Sequence, residues 1–132
     1  MHVIPFIYYD DPSAAIEWLK EAFGFEEHVV HRADDGMIEH AELRLGSGMI
    51  MPGAPQSYNL KSTRELGASN QGNYVVVEDT DAHYERANAA GAEIVEELHD
   101  TDYGSRDYTA RDPEGNVWVF GTYDPFAGEE SD

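Results

Sequence analysis

Apolar positions along this chain recur with two different periods, and the points where the period changes divide it into elements. Residues 3–9 (VIPFIYY) are aromatic and β-branched and read as a strand, with Pro5 asking for an edge position or an unpaired N–H. Asp10-Asp11-Pro12-Ser13 interrupts the run, and Ser13 is placed to cap a helix over residues 14–23. In that helix Ile16, Leu19 and Phe23 recur at helical spacing, and Gly24 supplies the stop. Residues 25–33 read as a second strand, closed by an Asp34-Asp35-Gly36 turn whose Asp-Gly pair tolerates positive φ. Over residues 37–45 the period becomes two: His40, Glu42 and Arg44 share one face, while Ala41, Leu43 and Leu45 share the other. Gly46-Ser47-Gly48 then turns the chain into a short strand at 49–51.

Residues 52–71 carry two Pro and two Gly with no periodicity and read as one long connection. After it the order repeats: a strand at 73–77, a helix at 82–90 stopped by Gly91, a strand at 92–98 and an acidic loop at 99–102. A hairpin closes the chain, with strands at 106–111 and 117–120 around Asp112-Pro113-Glu114-Gly115, in which Pro113 presets φ and Gly115 accepts positive φ. Each half reads β-α-β-β-β, so the chain is expected to be a single α+β domain of 1–132. Module one would span 2–53, a linker 54–70, module two 71–126 and an acidic tail 127–132.

Composition narrows the class. A chain of 132 residues that is 41% hydrophobic can bury one core. The charge of −19, from 27 acids against 8 bases, repels nucleic acid and anionic lipid, so neither is an expected partner. Such acidity also suits a salt-rich host, where ions screen the self-repulsion of so many carboxylates. No 18-residue apolar run and no basic leader is visible, which makes a cytoplasmic location the expectation. With no cysteine, disulfides, thiolate nucleophiles and Cys-ligated zinc are excluded, leaving His, Asp and Glu as metal ligands.

The tandem plan, with I-P-F-I-Y-Y-D-D at the start, His40-Ala41-Glu42-Leu43-Arg44-Leu45-Gly46 in the middle and D-P-E-G-N-x-W at the end, resembles the vicinal oxygen chelate superfamily of glyoxalases, bleomycin-resistance proteins and dioxygenases. Within it the chain is similar to the PhnB-like, glyoxalase-like group. The resemblance implies that each half curls into a bent sheet, that paired halves form a cup holding the active site, and that the protein is a homodimer. It implies ligands for a divalent metal on the first and fourth strands of each half. Those positions fall on Ile4, Asn73, Met51 or Pro52, and Val119, none of them a His or a carboxylate. The expectation is therefore no metal and no other cofactor.

Several side chains are candidates for lining such a cup. His40, Glu42 and Arg44 align with Asp107, Thr109 and Arg111 of the other half; His40, Glu42 and Asp107 are candidate acids and bases, and Arg44, Arg106 and Arg111 candidate anion binders. Ile4, Phe6, Tyr8, Asn73, Val75, Tyr103, Tyr108, Val117 and Val119 would supply apolar and aromatic walls for a small-molecule ligand. His28 and His31, three apart on a strand, should point to opposite faces, and His83 reads as a solvent-facing helix residue. Trp118 and Phe120 read as core. Three readings follow: a binding or sequestering protein without metal, a metal-dependent lyase, isomerase or dioxygenase, and a metal-free enzyme that uses His40.

Overall fold

The computed structural model describes residues 1–54 and 58–128; the last residues of the expected acidic tail lie outside the described residues. Its order is β1 (Phe6–Tyr8), α1 (Pro12–Phe23), β2 (Glu26–Arg32), β3 (Ile38–Leu45), β4 (Gly48–Gly53), α2 (Thr63–Leu66), β5 (Gly72–Val76), α3 (Thr80–Ala89), β6 (Glu93–Asp100), β7 (Arg106–Arg111) and β8 (Val117–Gly121). The strands form two four-stranded mixed sheets of identical plan, β1-β4-β3-β2 and β5-β8-β7-β6. In each, the first strand lies parallel to the last and the other pairs are antiparallel. The tandem α+β architecture read from the sequence is the one observed.

Local chemistry sets the boundaries. Helix α1 begins earlier than expected: Asp11, not Ser13, is the cap, its side chain accepting from the Ala14 N–H, and Pro12 opens the helix where a missing N–H costs nothing. Gly24 ends it at φ 87°, a left-handed conformation cheap only for glycine. Asp79 caps α3 in the same way through the Ala82 N–H. The long connection is not featureless, because Ser62 caps the short helix α2 through the Glu65 N–H. His99 and Asp100, expected in a loop, extend β6.

One core serves both modules. From α1 come Ile16, Leu19 and Phe23, from β3 Ala41 and Leu43, and from β7 and β8 Tyr108, Ala110, Trp118 and Phe120, all essentially inaccessible. Phe23 crosses between modules, its ring 4.7 Å from Phe120 and 5.7 Å from Trp118. Tyr108, expected beside a loop and a ligand, is buried in this core instead.

Helix α3 ties down the end of α1. His83 and Arg86, one turn apart, reach the last carbonyls of α1: Arg86 donates to Lys20 O and Glu21 O, and His83 Nε2–H donates to Phe23 O at 2.8 Å. His83 Nδ1 accepts from the Tyr108 hydroxyl at 2.6 Å. It is therefore not a solvent-facing residue; burial holds its pKa below the usual value.

Candidate functional site

The sheet faces turned away from the core carry the candidate site. Register fixes which residues these are: Phe6 stands opposite Met51, and Tyr74 opposite Val119. Asn73 pairs with Trp118 and Val75 with Phe120, so both share the row of those two core residues. Val75 packs against the core, whereas Asn73 stays half-buried at the edge of a cleft. Pro52 is fully buried, which leaves Met51 as the outward side chain of β4. Phe6, Met51, Tyr74 and Val119 thus face outward, and the positions where the resemblance implies metal ligands are two of these, Met51 and Val119, together with Ile4 and Asn73. An aromatic ring, a thioether, a phenol with a raised pKa and a methyl-bearing chain do not fit a hard or borderline divalent ion.

On the outer face of module one a carboxylate gathers histidines. Glu42 accepts from His40 Nε2 at 2.7 Å and lies 3.8 Å from His28 Nε2, while the His31 ring stacks on that of His40 with centroids 6.4 Å apart. His28 and His31 share a face, contrary to the spacing argument, because the β2–β3 register shifts between Glu27 and Val29 and the bulge turns His28 over. The hydrogen bond from His40 holds the Glu42 carboxyl below its ordinary pKa. Arg44 donates to His28 Nδ1 at 3.3 Å, which leaves the His28 proton on Nε2, aimed at Glu42.

Module two presents a different chemistry at the equivalent rows. Asp107 and Thr109 are buried. Asp107 Oδ1 accepts from Ser105 Oγ at 2.5 Å, and Ser105 Oγ accepts from the Tyr123 N–H, which also reaches the Tyr74 hydroxyl at 3.1 Å. Gly121 makes this possible: a Cβ there would stand 2.0 Å from Asp107 Oδ1 and 2.6 Å from the Tyr74 hydroxyl. His40 and Glu42 lie on one sheet and Asp107 on the other, and among the described residues no three His, Asp or Glu side chains are placed to share a metal ion.

Two of the three arginine candidates are engaged in ion pairs. Arg106 reaches Asp81 at 2.6 Å and Asp100 at 3.1 Å, and Arg111 reaches Glu93 at 3.0 Å. Tyr103 is exposed and sets its ring edge-on to Tyr123 at 5.6 Å.

Two clefts lie where the modules meet. One, of about 750 Å³, is lined by Phe6 and Tyr8 of β1, Asn73 of β5 and residues of the connection around α2. The other, of about 1020 Å³, runs along β5 past Tyr74 and Val76 to Pro5, Met49 and Phe126; Ile4 is half-buried and lines neither cleft. Behind the first cleft, the turn of the last hairpin forms a knot of hydrogen bonds. Asp112 accepts from the Tyr9 hydroxyl, the Trp118 indole N–H, the backbone N–H groups of Glu114 and Asn116, and the Asn116 amide. Glu114 accepts from the N–H groups of Asp10 and Asp11. The last hairpin's turn thereby clamps the end of β1.

A sequence profile of the Glyoxalase/Bleomycin resistance protein/Dioxygenase superfamily matches residues 2–120. The chain belongs to that superfamily. Among solved structures it is similar to TioX from Micromonospora sp. ML1, with 36% identity and a TM-score of 0.76 over 92% of this chain and 94% of that one. A glyoxalase/bleomycin resistance protein from Streptomyces sp. CB03234 shares the fold, with 16% identity and a TM-score of 0.72 over 91% of this chain and 98% of that one. An uncharacterized protein of Mycobacterium bovis is 33% identical over 121 residues, which cover 89% of this chain and 80% of the relative. No helix of this superfamily member, among the described residues, is long and apolar enough to cross a membrane.

Proposed function

We propose that this superfamily member binds a small organic molecule in the clefts between its modules, as a binding or sequestering protein of the resistance kind, without a catalytic divalent metal. The observation that carries the reading is the set Phe6, Met51, Tyr74 and Val119: the outward corners are aromatic and aliphatic, a surface suited to an organic ring and unsuited to an ion. Phe6 is 55% exposed and Tyr74 41% exposed, so these walls await a partner surface or ligand. We also propose a place in the PhnB-like group, a cytoplasmic location and a homodimer, in which the exposed apolar flanks of each copy meet. Under this reading His40 and Asp107 perform no acid–base step, since neither lines a cleft and each is already committed to a neighbour, Glu42 or Ser105.

A thermal-shift screen of metabolites and antibiotics, run with and without EDTA, tests it. A true ligand raises Tm by mass action, by about 2.7 kcal/mol of stability at one hundred times its Kd. The shift is expected to be the same in both arms. A shift that EDTA abolishes would contradict the proposal.

A further inference from the structure

The cleft beside β1 is built from an unrepresentative sample of this chain. Of seven carboxamide side chains in the sequence, five line it: Asn59, Asn70, Gln71, Asn73 and Asn116. Of 27 acidic residues, none lines it, although at the chain's average acidity about three of the fourteen lining positions would be acids. The neighbouring cleft shares only Asn73 of these carboxamides and includes the acids Glu78 and Asp124. Asn116 belongs to the wall, accepting from Thr63 and donating to Asp112. Asn70 and Gln71 are exposed and Asn73 half-buried, leaving amide groups reachable from the cleft.

An amide group carries both a donor and an acceptor but no charge, so a ring of them pairs with a neutral edge that offers the same two functions. A carboxylate ligand would meet the field of a chain at −19 with Lys61 as the single cation of the lining, and an ammonium ligand would find no carboxylate to receive it. Phe6 and Tyr8, their rings 5.8 Å apart, give one flank an aromatic surface on which a planar ring can lie. At about 750 Å³ the space suits a molecule of two or three fused rings with its substituents. We infer that this cleft takes an uncharged planar aromatic molecule with an amide-like hydrogen-bonding edge. The inference rests on the small-molecule reading above and adds the site and the ligand class.

Three probes with one ring system and different charge test it: 2-naphthamide, 2-naphthoate and 2-naphthylmethylammonium, titrated by calorimetry and by side-chain amide NMR signals at about 0.15 M salt. The amide is expected to bind about tenfold or more tightly than either charged probe, with the signals of Asn70 and Gln71, which line this cleft and not its neighbour, moving. The double variant Q71L/N73L should lose the preference for the amide, and Phe6→Ala should weaken all three probes alike; none of these residues belongs to the core, so folding is retained and is checked by circular dichroism. Equal or tighter binding of either charged probe, or no binding of naphthamide at this cleft, would overturn the inference. If shifts appear instead around Tyr74 and Met49, the cleft assignment falls while the small-molecule reading stands. A metabolite and antibiotic screen without any hit removes that reading as well.

Discussion

The Tyr9 hydroxyl donates to Oδ2 of Asp112 at 2.6 Å across 103 positions of sequence, joining the end of β1 in module one to the β7–β8 turn in module two. Asp112 holds five donor groups at once, and burial followed by this carboxylate raises the pKa of the Tyr9 phenol. Asp112→Ala leaves those donors without an acceptor and is expected to cost about 3–5 kcal/mol; Tyr9→Phe removes one bond and should cost about 1–2 kcal/mol. Urea unfolding of both variants and of the double variant measures the coupling. Additive losses would show that the two groups do not act together.

His83 predicts a pH dependence. Its pKa lies below the usual 6.5, first because burial disfavours the charged ring. Unfolded chains therefore take up the proton before folded ones, so the stability it contributes is complete above about 6.5 and is lost as pH falls toward the lower folded value. His83→Gln should be less stable than the parent at pH 8, and the gap in Tm should narrow by pH 5.5. A constant gap would contradict the assignment.

Gly121 is expected to tolerate no side chain. In Gly121→Ala the new methyl group would overlap Asp107 and the Tyr74 hydroxyl, at a cost of about 1–3 kcal/mol and with the Ser105–Asp107 contact displaced. Adding Asp107→Ala should recover part of the loss by removing the atoms in the way. Thermal denaturation of the three variants decides it.

The charge of −19 predicts a response to salt. Tm should rise steeply between low and molar KCl as ions screen repulsion among the carboxylates. A flat profile would contradict the reading that repulsion among the carboxylates limits stability and that the chain suits a salt-rich host.

Features set by local chemistry were legible in the chain. The period-two alternation of β3 placed Ala41 and Leu43 in the core, the Pro113–Gly115 turn built the last hairpin, and the two halves followed one plan. What escaped depends on pairing between distant strands. A bulge at His28 cannot be seen in residue spacing, yet it turns His28 and His31 to one face around Glu42. The outward face of β5 could not be read either, because a run as uniform as Tyr74-Val75-Val76 carries no alternation to show that Tyr74 stands opposite Val119. Asp112 read as a turn residue, since its partners Tyr9 and Trp118 meet it only once the modules are joined. The clustering of carboxamides at one cleft likewise arises from folding, because Asn59, Asn73 and Asn116 come from three separate segments.

The account stands on outward corners that suit an organic ring and do not suit an ion, and elemental analysis of the purified protein tests this most directly. It predicts that zinc, nickel, manganese and iron together fall well below one atom per chain, with ligand-induced stabilisation intact in that material. One tightly held divalent ion per chain, resistant to gel filtration, would contradict it.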